Sequence, residues 1–268
     1  MSPSSVPGQQ PAPDDPLFPA HRASRCADLG ALDAQVVQCR ACPRLVTWRE
    51  QVAVRKRAAY LGWDYWARPV PGFGPADAAL AVVGLAPAAH GGNRTGRMFT
   101  GDPSGDFLVK GLYAVGLASQ PTATSADDGL TLRGVRMAAP VHCAPPDNKP
   151  TPGERDTCRP WLAAELALLG PGLRAVVVLG GFGWQALLPV LADAGWQLPQ
   201  PRPRFGHGAR VTLTGEGGLG ELRLFGCYHP SQRNVNTGLL TLPMLEAVFR
   251  DAAAAAGLQE PGRTGPTG

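Results

Sequence analysis

No run of apolar residues in this chain approaches the roughly 20 that a membrane-crossing helix needs, so a span is not expected. The opening MSPSSVPGQQPAPDDP has neither a basic stretch nor an apolar one and does not read as a signal peptide. Both absences point to the cytoplasm. Lysine is nearly missing too: of 25 basic residues, all but Lys56, Lys110 and Lys149 are arginines. Against 21 acids the net charge is +4, which permits nucleic-acid binding without demonstrating it. Arginine is the better bidentate phosphate partner, although a GC-rich genome leaves the same bias. The phosphate-cradling signatures are also wanting. No G-x-G-x-x-G opens a helix after the first strand, and G-x4-G-K-[ST] does not occur, which weighs against a nucleotide cofactor.

What is present in excess is Pro and Gly, much of it near the ends. Residues 1–24 and 257–268 lack apolar periodicity and read as disordered tails around one domain spanning 25–256. No internal repeat is visible. Inside the domain, short apolar runs at Leu80–Gly84, Arg136–Pro140, Ala175–Leu179 and Leu222–Gly226 read as strands. The first three are apolar on both faces, as in a buried parallel sheet. Amphipathic patterns between them include helices over 28–38, 104–118, 154–169, 182–194 and 243–256, and Thr151-Pro-Gly-Glu154 has the form of a capping box. Strand–helix alternation implies a three-layer α/β/α domain, in which ligands bind at the carboxyl ends of the strands. The richest motifs fall just after the first, second and fourth strands.

Six cysteines in a reducing compartment are poor disulfide candidates and better metal ligands. Cys39 and Cys42 form a C-x2-C pair; Cys143 follows the second strand and Cys158 lies early in the next helix. Four thiolates hold either Zn2+ or a [4Fe–4S] cluster. Structural zinc sites usually show two tight pairs, and the loose second half here favours iron–sulfur. Cys26 and Cys227 read as ordinary small buried residues.

The loop Gly84-Leu-Ala-Pro-Ala-Ala-His-Gly-Gly-Asn-Arg-Thr-Gly-Arg-Met-Phe-Thr-Gly-Asp102 follows a buried strand and is dense in small residues. Phe99 is either a core plug or a stacking platform for a flat ring, worth about 1–3 kcal/mol per base. Asp102 reads first as a helix N-cap, and also as the lone carboxylate that oxocarbenium chemistry needs near a sugar. After the fourth strand comes Tyr228-His-Pro-Ser-Gln-Arg-Asn-Val-Asn-Thr-Gly238. Pro230 stops the strand, leaving His229 at the sheet's carboxyl edge among Ser231, Arg233, Asn234, Asn236 and Thr237, all able to hydrogen-bond phosphate or a base.

These two loops, with Cys143-Ala-Pro-Pro-Asp-Asn-Lys-Pro between them, resemble the uracil-DNA glycosylase superfamily, and closely its family 5, the type B enzymes of bacteria and archaea. The resemblance covers about residues 26 to 256. It implies a four-stranded parallel sheet between helices and a [4Fe–4S] cluster on Cys39, Cys42, Cys143 and Cys158. The related family 4 carries Gly-Glu-x-Pro-Gly in the first motif and an Asn before the third cysteine; here Leu85, Ala88 and Ala139 stand instead. Loss of those polar groups implies substrates beyond uracil, hypoxanthine and xanthine among them.

The resemblance further implies a base flipped from DNA. Gly84, Leu85, Ala86, Ala88, Phe99 and His229 would bind it, Phe99 by stacking and the 84–88 amides by hydrogen bonds. Asp102 would activate water or stabilise the sugar cation, Asn148 would position the water, and His229 would donate to the departing base. Ser231, Arg233 and Asn234 would hold the DNA. Damaged double-stranded DNA, with single strands left open, is the expected partner of a cytoplasmic, nucleoid-acting monomer with no membrane contact. Three rivals stand beside this reading: a catalytically silent damage-binding protein of the same fold, a zinc-stabilised interaction domain, and an α/β enzyme acting on a free nucleobase.

Overall fold

The computed structural model describes residues 11–258. Its centre is a six-stranded sheet in the order β2-β1-β3-β6-β5-β4. Four strands are parallel: β1 (Leu80–Val83), β2 (Val135–Ala138), β3 (Ala175–Leu179) and β6 (Gly220–Cys227). These match the expected four within about a turn's width. Two more, β5 (Arg210–Gly215) and β4 (Trp196–Gln197), extend the far edge antiparallel, so the sheet is mixed. In β1 and β3 every residue is buried, because helices cover both faces and leave no polar side to the pleat.

The alternation of side chains divides the core in two. Leu80, Val82, Val177 and Phe225 point to a layer formed by α5 (Pro103–Ala114) and α9 (Leu242–Ala255). In that layer α5 approaches α9 closely at Gly111, where a Cβ would press on the Leu245 side chain. Ala81, Val83, Val176 and Leu224 point to the opposite layer, built from α1 (Phe18–Ala23), α2 (Leu29–Val36), α6 (Pro152–Leu169) and α7 (Gly181–Asp193).

The reading of residues 1–24 as a disordered tail is corrected at its inner end. α1 lies on α6, and Phe18 is 1% exposed with its ring edge-on to Trp161. Pro19 and Ala23 of α1 are buried beside it. Residues 1–10 and most of the other expected tail, 259–268, lie outside the described residues.

β2 departs from its apolar reading at Arg136, which is buried. It projects between α2 and α6, bonded to Asp33 at 2.8 Å and Glu165 at 2.7 Å. α6 starts with the expected capping box: Thr151 Oγ1 accepts from the Glu154 amide, and Glu154 accepts from the Thr151 amide at 2.7 Å. Between α2 and α6 in sequence runs α3 (Pro43–Arg55), where Arg44 reaches Glu154 at 2.7 Å. No helix among the described residues is long and apolar enough to cross a membrane.

Candidate active site

At the carboxyl edge of the parallel strands, the loop after β1 folds back on itself. Gly84 continues the sheet by donating to the Ala138 carbonyl at 2.9 Å. The ring of Phe99 lies over Gly84 so closely that a Cβ there would collide with it. Phe99 is held at φ 49°, a left-handed value uncommon for a bulky residue and found chiefly where surrounding contacts enforce it. The ring packs partly buried against the α5–α9 core, as the core-plug reading expects.

Asp102 caps α5, as a sequence reading first suggests. Its Oδ1 accepts from the amides of Ser104 at 2.9 Å and Gly105 at 3.1 Å, leaving Oδ2 against Gly91, where a Cβ would overlap it. Burial pushes the Asp102 carboxyl above the usual range, opposed by the two amides and by Arg94 and reinforced by Asp106. The carboxylate so placed keeps one oxygen free of hydrogen bonds among the described residues.

His229 faces a cleft of about 260 Å3 lined by Leu85, Leu179, Gly180, Gly181, Phe182, Phe205, Tyr228 and Asn234. Burial holds its imidazole down at about 4, so the ring is neutral at physiological pH and offers a hydrogen bond without a charge. Its backbone is fixed from both sides: the His229 carbonyl accepts from the Ser231 amide at 2.8 Å and from Asn234 Nδ2 at 2.9 Å. Ser231 also caps the short helix α8 (Gln232–Asn236). Ser231 and Asn234, expected on the DNA, therefore spend polar groups on holding His229. Arg233 is exposed and makes no ion pair among the described residues.

Other expected groups are dispersed. Among the described residues the amides of Leu85, Ala86 and Ala88 have no acceptor, while the Ala88 carbonyl turns the loop by accepting from Gly91 and Asn93. Leu85 lines the cleft; Ala86 packs instead beside Leu45, Val141 and Cys143. Asn148 stands exposed on a 3-10 turn (Pro146–Asn148) at φ 55°, without a side-chain hydrogen bond among the described residues. Sequence reasoning missed Phe182, Phe205 and Tyr228, which make the cleft aromatic. It also missed the uncapped start of α7, whose free amides place partial positive charge there. The run Gly180-Gly-Phe-Gly183 directly after β3 was the available signal.

The four expected cysteines meet. Cys39, Cys42, Cys143 and Cys158 line one apolar pocket together with Val141, His142 and Trp161. Burial raises all four thiols, Cys42 to about 12 and Cys143 to about 11, and at Cys42, Cys143 and Cys158 the neighbouring sulfurs add to the rise. Donors surround them: Arg49 reaches Cys143 Sγ at 3.0 Å and the His142 amide reaches Cys158 Sγ at 3.4 Å. The Trp161 indole N–H faces Cys39 without attaining hydrogen-bond geometry, one of several buried donors here without a partner. Among the described residues no three candidate ligands stand close enough to share one metal ion. Four thiols lining one pocket, with N–H donors beside them, are a donor set of the kind that thiolate-bound metal centres use. Cys26 and Cys227 lie apart, Cys227 fully buried in the sheet.

A family profile, the uracil DNA glycosylase superfamily, matches residues 71–253. A protein of Mycobacterium tuberculosis named type-5 uracil-DNA glycosylase is 54% identical over 228 residues, 85% of this chain and 82% of that one. Proteins of the same name from Pyrobaculum aerophilum and Thermus thermophilus are each 47% identical, over 83% and 86% of this chain and 91% and 100% of theirs. With the sheet, the two edge loops and matches of this extent in agreement, the chain belongs to the uracil-DNA glycosylase superfamily.

Proposed function

We propose that the protein is a monofunctional DNA glycosylase of the type B kind. It hydrolyses the N-glycosidic bond of uracil, and of other deaminated bases such as hypoxanthine and xanthine, leaving an abasic site. The observation that carries this reading is the pairing of Asp102, pinned by one oxygen, with the Phe99 ring over Gly84. The names of the relatives support the uracil part. Breadth is supported by Leu85 and the buried Ala139, apolar where a strict reader of uracil would hydrogen-bond.

A flipped base stacks on Phe99 and meets the free amides of Leu85, Ala86 and Ala88. As the bond to the sugar breaks, electrons move onto the base. His229 donates to it as a neutral ring, and the open N-terminus of α7 stabilises the same charge. Asp102 Oδ2 takes the proton of the attacking water, and Asn148 is assigned that water's second contact, from the rim. Arg233, with Ser231 and Asn234 behind it, meets the DNA backbone. One chain supplies every group, so a monomer suffices. Cys39, Cys42, Cys143 and Cys158 would hold a [4Fe–4S] cluster whose contribution is structural, joining the α2–α3 link to α6 and the loop after β2.

The test is incubation with labelled single- and double-stranded oligonucleotides, each holding one deaminated base, followed by alkaline cleavage at abasic sites. Strand breaks at uracil and at least one purine lesion are expected. Tight binding without breaks at any lesion would make the protein a silent damage binder instead.

A further inference from the structure

The loop that carries Phe99 and Asp102 is not held by its own turns alone. Arg94, in the short helix α4 (Gly92–Thr95), is 3% exposed although its charge has no carboxylate partner among the described residues. Its guanidinium lies between two aromatic faces, 4.0 Å from the centroid of Tyr60 and 4.1 Å from that of Trp63. Nε donates to the His90 carbonyl at 2.8 Å and Nη2 to the Gly101 carbonyl at 2.7 Å. His90 itself is tied to the same outer segment through Tyr65, Oη to Nδ1 at 2.9 Å.

Gly101 is the residue immediately before Asp102, so the peptide that Arg94 grips is the one from which the carboxylate projects. Residues 60–65 contribute no group to the cleft, yet they close over the one cation that, among the described residues, reaches this peptide. We infer that Arg94 is a positioning residue for Asp102: clamped by Tyr60 and Trp63, it holds the Gly101 carbonyl and so fixes the direction in which Oδ2 is presented. The inference rests on the assignment of water activation to Asp102. Two charged groups act on that carboxylate, Asp106 from α5 and Arg94 from α4, in opposite senses. The clamped guanidinium therefore also offsets part of the rise that burial imposes on the Asp102 carboxyl, beside the larger effect of the Ser104 and Gly105 amides.

The experiment is single-turnover uracil release across pH for Arg94→Ala, Arg94→Lys and the double variant Tyr60→Leu/Trp63→Leu, with DNA affinity measured alongside. Arg94→Ala is expected to lose about 100-fold in rate, the size of effect that a misplacement of about 1 Å produces. DNA affinity should hold, the acid limb of the profile should move to higher pH, and added guanidinium ion should restore part of the rate. Arg94→Lys should keep the limb in place but not the rate. A folded Arg94→Ala with wild-type turnover, or a rate loss with neither limb shift nor rescue, overturns the inference. Should Arg94→Ala not fold, the double variant decides, since Trp63 is exposed and Tyr60 only half-buried. Slower release at unchanged affinity supports the clamp, and unchanged release overturns it. Asp102→Asn run in parallel separates the two levels: if it turns over normally the underlying reading fails, whereas its loss beside normal Arg94 variants removes only the clamp.

Discussion

At Asp102 the two carboxylate oxygens are in different situations, one bonded to the first turn of α5 and one facing Gly91. Asparagine caps helices about as well as aspartate, so Asp102→Asn should change stability by less than about 1 kcal/mol. The sign follows from the raised carboxyl: the folded state binds its proton more readily, so ionisation costs stability as pH rises through the folded value. At neutral pH the asparagine variant should therefore melt no lower than the parent, while base release falls by about 10²–10⁴-fold. Thermal melts beside single-turnover assays check both halves. At His229 the folded value is depressed to about 4, so the unfolded chain takes up the proton first. Its contribution to stability is present above about 6.5 and is lost as pH falls from there towards 4. Urea titrations at several pH values should show a shallower acid decline in His229→Gln than in the parent. Both residues were legible in the sequence because they stand in polar, glycine-rich loops after apolar strands. Arg94 was not, since its role depends on rings thirty residues earlier that only the fold brings to it.

Among the elements, those with one clean period were visible and those with a compromised one were not. α3 carries Leu45, Val46 and Val52 on its inner face, but the stripe includes Arg49, buried because it serves the cysteine pocket. β5 alternates outward Thr212 and Thr214 with inward Leu213 and turns into β6 through Gly217 and Gly218, both at positive φ; this hairpin signal is outweighed by its polar composition. Arg136 interrupts β2 for a different reason. It neutralises Asp33 of α2 and Glu165 of α6, two acids that burial would otherwise leave costly. Arg136→Met should strand both and cost about 3–5 kcal/mol, read as a lower urea midpoint, with Arg136→Lys recovering part of it.

For the molecule as a whole, the strands of the parallel sheet follow directly from their burial on two faces, whereas the antiparallel edge and α1 are tertiary outcomes. The cysteine pocket gathers chain from six places: α1 through Pro19, the α2–α3 link, α3 through Leu45 and Val46, Pro69 ahead of β1, the loop after β2, and α6. If a cluster fills it, the purified protein should absorb broadly in the violet-blue, and oxidative removal of iron should bleach it. A loss of about 3 kcal/mol would then lower the melting temperature by roughly 6–12 °C for a chain of this size. A colourless, zinc-bearing preparation with an unchanged melt would remove the cluster from the account.

The tight seam between Gly111 and Leu245 has a reach of its own. Gly111 lies nine residues along α5 from the cap, which at the rise of an α-helix is about 13 Å. Because one oxygen of Asp102 is fastened to the start of that rod, a displacement of its far half would be carried towards the carboxylate, as along a lever. Gly111→Ala adds a single methyl group with no contact to the cleft, yet either the Leu245 side chain or α5 itself must shift to admit it. It should slow base release more than it weakens DNA binding, which paired turnover and affinity measurements would register. That outcome would tie the presentation of Asp102, in the role proposed for it, to the packing of an interior seam between two helices.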